Sequence, residues 1–248
     1  MTDDVVERAR QALHAAEHVV IFTGAGVSAE SGVPTFRGAG GLWKTFRAED
    51  LATPEAFARD PRLVWEWYGW RRTLVAACAP NAAHEAIARY AASRRGVTVV
   101  TQNVDGLHQR AARDANASVL ALHGTLFGVR CTGCGRRAPH DGPVDATSLG
   151  TLPRCDACGA LLRPDVVWFG ETLDPRVLDA AFDAARSAGA CLVVGTSAVV
   201  QPAASVATLA ARAGATLIEV NAEETSLSSA ADIVLRGKAG EIVPRLLE

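Results

Sequence analysis

Short runs of apolar, mostly β-branched residues alternate along the chain with alanine-rich stretches of helical spacing. In the run at 19–23 nearly every position is apolar, so both faces of this strand are expected to be buried. Strands are predicted at 19–23, 97–100, 119–122, 166–169, 191–194, 217–220 and 233–235, and helices at 3–17, 82–93, 176–188 and 202–213. Because buried strands alternate with helices, the pattern predicts an α/β fold in which helices cover both faces of a parallel sheet.

Two segments interrupt this alternation. Residues 38–80 hold four of the five tryptophans and look helical, and residues 126–164 hold two C-x-x-C pairs among scattered glycines and prolines. We expect the two segments to form one smaller module beside the sheet. Within a single 1–248 domain, the predicted division is a large part at 1–37, 80–125 and 165–248, a helical module at 38–79 and a ribbon at 126–164.

Charge and hydropathy exclude several kinds of partner. The 248 residues carry a formal net charge of −2, which gives no electrostatic reason to expect nucleic acid or an anionic membrane. The sequence contains no run of about 18 apolar residues that would predict a membrane span. The N-terminus is acidic where a signal peptide would be positively charged. We expect a cytoplasmic monomer without a membrane or nucleic-acid partner.

A glycine-rich turn follows the first predicted strand. The segment 24–29 fits G-x-G-x-x-A, in which glycines let the backbone approach a pyrophosphate and a helix N-terminus supplies N–H donors. A strand-to-helix turn without a ligand would give the same pattern. The next residues, 32–43, are neither helical nor strand-like, so the acidic strand end of a dehydrogenase is missing. If a dinucleotide binds, another part of the chain must hold its adenosine half.

Polar residues follow four of the predicted strands, at 24–28, 101–105, 195–197 and 221–223. Each of them alone is explained by the general polarity of loops. Ligands of open α/β sheets bind beyond the carboxyl ends of the strands, so the four together predict a ligand site at one edge. Asn221 and Glu223 are suited to ribose hydroxyls, and the small polar groups at 195–197 to phosphate or ribose.

The two C-x-x-C pairs enclose twenty residues and consist of Cys131, Cys134, Cys155 and Cys158. Four thiolates at this spacing predict one structural, tetrahedral Zn²⁺. Metal binding would then contribute to the folding of a ribbon that is too small to own a core. A redox dithiol pair and a nucleic-acid-binding zinc ribbon are the alternatives, and neither explains the remainder of the chain.

Taken in order, these motifs resemble the sirtuins, the NAD-dependent protein-lysine deacylases. The resemblance rests on G24-A-G-V-S28, G32-V-P-T-F-R37, T101-Q-N-V-D-G-L-H108, H123-G124, the four cysteines, G195-T-S197 and V220-N221. It runs from about residue 10 to the C-terminus. It implies a Rossmann-like larger domain and a small domain made of a zinc ribbon and a helical module, with NAD and an acyl-lysine protein meeting in the cleft between them.

The resemblance also implies a reaction. In sirtuins the acyl oxygen attacks the anomeric carbon of the nicotinamide ribose, and the products are nicotinamide, O-acyl-ADP-ribose and free lysine. Asn103 and Asp105 would hold the carboxamide and the ribose, and Gln102 would bind the ribose hydroxyls. His123 would be the general base that takes a proton from a ribose hydroxyl. The alternative for His123 is a structural histidine that only forms hydrogen bonds with its neighbours. We interpret His84 and His140 in this structural way.

The remaining NAD contacts that the resemblance implies are Gly24, Ala25, Gly26, Ser28, Phe36, Arg37, Gly195, Thr196, Ser197, Asn221, Glu223 and Ala239. Ser28 is expected to cap the helix after the glycine turn. Phe36 and Arg37 are expected in the loop that closes over the nicotinamide side, and Ala239 at the adenine.

Tyr68 and Arg71 are three residues apart, so on a helix they share a face. This Y-x-x-R pair resembles the sirtuin branch that removes succinyl, malonyl and glutaryl groups, as do segments 51–57 and 167–174. Arg71 would bind the acyl carboxylate with two N–H donors, and Tyr68 would add a third bond. The alternative is an aromatic helix that packs on the core, with Arg71 solvated like Arg72.

Four other activities are compatible with parts of this pattern. An ADP-ribosyltransferase or a hydrolase of NAD would use the same NAD motifs. A zinc-ribbon nucleic-acid-binding protein is favoured by Arg130, Arg136 and Arg137 but lacks an aromatic platform. A dehydrogenase is disfavoured by the missing acidic strand end.

Overall fold

The computed structural model describes residues 3–34, 43–115 and 117–248. Its strands are β1 (Val19–Thr23), β2 (Val97–Thr101), β3 (Val119–Ala121), β4 (Gly124–Cys131), β5 (Arg137–Pro139), β6 (Leu162–Val166), β7 (Ala190–Val194), β8 (Thr216–Asn221) and β9 (Ile233–Arg236). Its helices are α1 (Asp3–Ala15), α2 (Ala48–Leu51), α3 (Pro54–Arg59), α4 (Pro61–Ala76), α5 (Ala82–Ser93), α6 (Leu107–Ala115), α7 (Pro175–Ser187), α8 (Ser205–Arg212) and α9 (Ala239–Leu247), together with a 3₁₀ helix at Ala25–Ser31.

Six strands form one parallel sheet in the order β3-β2-β1-β7-β8-β9. From β1 the chain order runs through β2 to β3 at one edge, and from β7 it runs through β8 to β9 at the other edge. The switch point of the sheet therefore lies between β1 and β7. Ligands of open α/β sheets bind beyond the strand carboxyl ends at such a point. The predicted Rossmann-like α/β fold is confirmed.

Each face of the parallel sheet buries its own hydrophobic cluster, because successive side chains of a strand point to opposite faces. In β1, Val19 and Ile21 pack with residues of α1, α5 and α9, whereas Val20 and Phe22 pack with residues of α7 and α8. All five positions of β1 are therefore buried. This double burial explains why the strand shows no alternation of apolar and polar residues.

The smaller part of the molecule is a three-stranded antiparallel sheet, ordered β5-β4-β6, with helices packed against it. Helix α4 begins after Asp60, whose side chain accepts a hydrogen bond from the Leu63 N–H at 3.1 Å, and has Pro61 in its first turn. The helices and this sheet share a third hydrophobic cluster, here called the aromatic cluster, which includes Trp43, Phe57, Trp65, Trp67, Tyr68, Leu126, Val129, Val166 and Trp168. The helical segment and the ribbon thus have one common core. The exact boundaries between the large and small parts stay a prediction.

The prediction that residues 166–169 form a strand of the parallel sheet is wrong. β6 ends at Val166 and pairs antiparallel with β4. Beyond it, Trp168 packs into the aromatic cluster, and the Phe169 N–H donates to the Ala52 carbonyl at 2.9 Å. An apolar run indicates burial, but it does not reveal which neighbour covers the side chains.

The four predicted helices are present, and three of them have shifted ends. The helix predicted at 3–17 ends at Ala15, and the one predicted at 202–213 begins at Ser205, after turns at 201–204. Across the described ranges, every helix is too short or too polar to span a bilayer.

Candidate active site

Two glycine turns meet at the switch point of the parallel sheet. Gly24 follows β1 and Gly195 follows β7, and the Gly26 N–H donates to the Gly195 carbonyl at 2.7 Å. A Cβ atom at Gly26 would lie 2.8 Å from the Gly195 Cα, and Gly195 has a φ of 60°. A side chain at either position would therefore force the two turns apart. Gly24, Ala25 and Thr196 line the cavity that opens beside them.

Ser28 is not a helix cap, so that prediction is wrong. The 3₁₀ helix begins at Ala25, which places Ser28 inside it with a buried side chain. The Ser28 Oγ donates to Asp105 Oδ2 at 2.8 Å and accepts from Asn103 Nδ2 at 3.0 Å. One hydroxyl thus connects Asn103 and Asp105, two of the polar residues that follow β2.

The segment after β2 is tied to the neighbouring strand ends by its own polar groups. The Gln102 N–H donates to the Thr23 carbonyl at 3.0 Å, and Gln102 Nε2 donates to Thr196 Oγ1 at 2.8 Å. The buried His108 places its Nε2 2.9 Å from Thr23 Oγ1. Gln102 therefore links the ends of β1, β2 and β7, and His108 helps to fix the loop.

The Asp105 carboxylate is buried and held by hydrogen-bond donors. In addition to Ser28, the Leu107 N–H donates to Asp105 Oδ1 at 2.9 Å. Burial raises the pKa of Asp105 above its usual value, whereas the bonds from Leu107 and Ser28 and the charge of Arg71 lower it. Both carboxylate oxygens are thus fixed, and a guanidinium lies within electrostatic range.

His123 lies between β3 and β4, at the same edge of the sheet. Its Nδ1 is 2.9 Å from the Gln102 carbonyl oxygen. Because a carbonyl oxygen can only accept, Nδ1 carries the proton and the lone pair of the neutral ring is on Nε2. Burial lowers the pKa of His123 below its usual value, although the Gln102 bond raises it. The imidazole is therefore neutral at pH 7 and able to accept a proton.

One cavity of about 320 Å³ connects the edge of the parallel sheet with the aromatic cluster. We call it the central cavity. Its lining includes Gly24, Ala25, Gln102, Asn103, His123, Thr196, Tyr68, Arg71 and Trp168. The first six belong to the strand ends and the last three to the smaller part of the molecule. Residues far apart in sequence thus face the same space.

Tyr68 and Arg71 share the face of α4 that lines the central cavity. The Arg71 guanidinium lies 4.9 Å from the centre of the Trp67 ring and 5.6 Å from that of Tyr68. Burial lowers the pKa of Arg71, while Tyr68 and Asp105 raise it. A partly desolvated guanidinium against aromatic rings is suited to bind an anionic group.

Arg72 is buried, so the prediction of a solvated side chain is wrong. Its Nε donates to the Leu126 carbonyl at 2.6 Å and its Nη2 to the Gly128 carbonyl at 3.0 Å, both on β4. Burial lowers the pKa of Arg72 to about 10. The sequence contained an indication of this role, because Arg72 stands seven residues after Trp65, on the buried face of α4.

The residues expected at the adenosine half surround the ends of β7 and β8. Asn221 Nδ2 donates to the Thr196 carbonyl at 3.0 Å. Glu223 is exposed just beyond β8, and Ala239 is buried at the first turn of α9. The side chain of Asn221 therefore helps to hold the turn after β7, whereas Glu223 is accessible to a ligand.

The chemistry of this edge fits NAD. The Ser197 Oγ is buried and has no hydrogen-bond partner within the described residues, so a polar ligand would satisfy it. The contact between Gly26 and Gly195 brings bare backbone to the switch point, where a pyrophosphate binds in folds of this kind. Phe36 and Arg37, predicted to close over the nicotinamide side, lie outside the described residues.

The four paired cysteines form a compact cluster in the smaller part. The ligand atoms of Cys131, Cys134, Cys155 and Cys158 all lie within 4.8 Å of one another. The Sγ atoms of Cys131 and Cys158 are 3.3 Å apart, those of Cys134 and Cys155 are 3.7 Å apart, and all four thiols are free. Four sulfur ligands without an open position fit a structural Zn²⁺.

Comparison with known proteins gives one consistent result. A model described as the Sir2 family matches residues 24–202. "NAD-dependent protein deacylase 2" of Pyrobaculum aerophilum is 50% identical over 236 residues, which cover 95% of this chain and 92% of that protein. A Sir2 homologue in complex with NAD superposes with a TM-score of 0.89 at 47% identity, covering 97% of this chain and 92% of that one. A mutant Sir2 homologue in complex with 2′-O-acetyl-ADP-ribose superposes with a TM-score of 0.87 at 47% identity. The match covers 100% of this chain and 95% of that one.

Proposed function

The chain belongs to the Sir2 family, and we propose that it removes acyl groups from protein lysines with NAD as co-substrate. One water is consumed, and the products are nicotinamide, O-acyl-ADP-ribose and free lysine. The observation that carries the proposal is the content of the central cavity, which combines Asn103 and His123 from the strand ends with Tyr68 and Arg71 from α4. A sugar-binding edge and an acyl-binding wall therefore face each other.

NAD, when bound, supplies an anomeric carbon from which nicotinamide departs as the acyl oxygen attacks. The residues that would hold it are Gly24, Ala25, Gly26, Ser28, Gln102, Asn103, Asp105, Gly195, Thr196, Ser197, Asn221, Glu223 and Ala239, with Phe36 and Arg37 from the segment outside the described residues. The glycine contacts and the buried hydroxyl of Ser197 support this assignment.

Asn103 and Asp105 hold the carboxamide and the ribose in the reactive orientation. Their connection through the Ser28 Oγ supports this role, because it fixes both side chains relative to each other before the ligand arrives. Gln102 binds the ribose hydroxyls from a position that its bond to Thr196 stabilises. The contribution of these residues is positional.

His123 acts as the general base toward a ribose hydroxyl. The Nδ1 bond to the Gln102 carbonyl supports this role by leaving Nε2 as the acceptor. Burial supports it as well, because the lowered pKa keeps the ring neutral at pH 7. The proton therefore moves from the sugar to Nε2.

Acyl groups that end in a carboxylate, such as succinyl and malonyl, are substrates together with acetyl. The desolvated guanidinium of Arg71 supports this specificity, because a carboxylate would accept two N–H bonds from it. Tyr68 adds a third bond from the same face of α4. A Zn²⁺ held by the four cysteines maintains the ribbon, and its role is structural. A monomeric state and a cytoplasmic location stay predictions.

The test is to incubate the zinc-loaded protein with labelled NAD and acetyl-, malonyl-, succinyl- or crotonyl-lysine peptides, and to identify the products by mass spectrometry. We expect O-acyl-ADP-ribose and free lysine in amounts equal to the NAD consumed. NAD consumption without peptide would indicate a hydrolase. Labelled ADP-ribose on protein would indicate a transferase, and either result as the main activity contradicts the proposal.

A further inference from the structure

Within the described residues, the indole N–H of Trp168 has one hydrogen-bond partner, the hydroxyl of Tyr68. The Trp168 Nε1 lies 2.9 Å from the Tyr68 hydroxyl oxygen, and both side chains are buried in the aromatic cluster. The two residues come from different segments, since Tyr68 is on α4 and Trp168 follows β6. Both also line the central cavity. The contact therefore lies at the wall where the acyl group is expected.

The chemistry of this contact fixes the direction of the bond. An indole N–H can only donate, so the Tyr68 oxygen must accept it. The phenolic proton of Tyr68 then points away from Trp168 and remains available to an acceptor in the cavity. A carboxylate can only accept, whereas the methyl group of an acetyl offers no acceptor. The bond therefore sets Tyr68 as a donor for one class of acyl group.

Trp168 is itself held in place by an ionic cluster. The backbone N–H of Trp168 donates to Glu171 Oε2 at 2.8 Å. The Arg163 guanidinium donates to the two Glu171 carboxylate oxygens at 2.6 and 2.9 Å. The Arg163 guanidinium carbon lies 3.3 Å from the centre of the Trp168 ring, and Arg130 adds a bond to Glu171 at 2.9 Å. The backbone and the ring of Trp168 are therefore both constrained.

We propose that Trp168, fixed by Glu171 and Arg163, is a specificity-determining positioning residue that orients the Tyr68 hydroxyl as a donor toward the acyl carboxylate. The proposal rests on the proposed function and deepens it. It assigns Trp168 a role that packing alone does not require, because a ring of similar size without an N–H would fill the same space.

The test is Trp168→Phe, with Trp65→Phe as the matched control. The Trp65 side chain is equally buried in the aromatic cluster, and its Nε1 donates to the Leu162 carbonyl at 3.0 Å instead of to Tyr68. We expect Trp168→Phe to lower kcat/KM for a succinyl-lysine peptide about three- to tenfold, the range of one neutral hydrogen bond. With an acetyl-lysine peptide we expect less than about a twofold change, and Trp65→Phe should affect the two peptides equally.

A double-mutant cycle with Tyr68→Phe completes the test. If Trp168 acts through the Tyr68 hydroxyl, Trp168→Phe should have little further effect on desuccinylation once that hydroxyl is gone. Equal losses on both peptides, a succinyl-selective loss in Trp65→Phe, or additive effects would overturn the inference. If Tyr68→Phe lowers desuccinylation but Trp168→Phe does not, the inference alone fails. If Tyr68→Phe has no effect, the acyl-carboxylate specificity fails as well.

Discussion

The two walls of the central cavity consist of different types of residue. The wall at the strand ends consists of small and polar residues, such as Gly24, Gln102 and Thr196, and the bond between Gly26 and Gly195 joins the two turns next to it. The wall from the smaller part consists of large side chains, among them Tyr68, Arg71 and Trp168. The first wall is held by backbone geometry, and the second by packing and by charge-assisted hydrogen bonds.

This difference teaches where activity and selectivity should separate. Every acyl substrate shares the same ribose chemistry, so a change at the strand ends should lower the rates for all of them equally. The acyl groups differ only at their far end, so a change at Tyr68, Arg71 or Trp168, which line the cavity, should alter the ratio of the two rates. Each substitution below is placed on one side of this division and is measured on both acetyl- and succinyl-lysine peptides.

The largest effect is expected for His123→Ala. Removing a general base lowers kcat about 10²- to 10⁴-fold, and the factor should be the same for both peptides because the proton transfer is common to them. Rates and NAD affinity should be measured together, since NAD binding should persist. His140→Ala is the control, because His140 contacts Arg72 and is absent from the lining of the central cavity. A loss of activity on only one of the two peptides would contradict the assignment of His123 to the step that both substrates share.

The next largest effect is expected for Arg71→Met, and only on one substrate. A net loss of about 1.5–3 kcal/mol, the range for a hydrogen bond to a charged group, predicts a loss of desuccinylation of about ten- to 150-fold, whereas deacetylation should remain. Arg72→Met is the neighbouring control. It removes bonds to the Leu126 and Gly128 carbonyls, so we expect about 1–3 kcal/mol lower unfolding free energy without a change in selectivity. Parallel loss of both activities in Arg71→Met would refute the acyl assignment.

The fold was predictable because its main determinants are local. The run at 19–22 is apolar at every position and is buried on both faces of the sheet, and the prediction at 82–93 coincides with α5. The run at 166–169 is also apolar at every position, but Val166 and Trp168 pack in the aromatic cluster, and the four residues alone do not show which partner covers them. Glu219 in β8 is a further case, since its buried carboxylate is paired with Arg236 at 2.9 Å.

The candidate site was predictable where its residues follow strands, and less so where partners come from distant segments. The polar segment after β2 could be recognised as a unit. The bridging role of Ser28 could not, because it depends on a 3₁₀ helix where an α-helix was expected. The contact between Tyr68 and Trp168 joins residues 100 positions apart, and no spacing rule covers such a pair.

A smaller effect is expected for Ser28→Ala, which tests the strand-end wall without touching His123. Loss of a buried hydroxyl that bridges Asn103 and Asp105 should lower kcat/KM for both peptides about five- to thirtyfold, since unsatisfied partners cost about 1–2 kcal/mol. Ser31→Ala is the matched control. Ser31 lies in the same 3₁₀ helix, and its hydroxyl accepts a bond from Asn81 at 3.1 Å. An unequal loss of kcat/KM on the two peptides would contradict the separation of activity at the strand ends from selectivity at the other wall.

The smallest effect is expected from mild acid. The general base must be neutral, and burial lowers the pKa of His123, so more than half of the rings stay neutral at pH 6.5. Lowering the pH from 8 to 6.5 should therefore reduce kcat/KM less than about twofold. At still lower pH the rate falls as His123 gains a proton, and Asp105 adds to the loss because burial raises its pKa. Both groups lie at the strand ends and not among the residues that would contact the acyl group, so the acid profiles of the two peptides should coincide. A midpoint above pH 6.5 would show that the ring is not desolvated when it reacts.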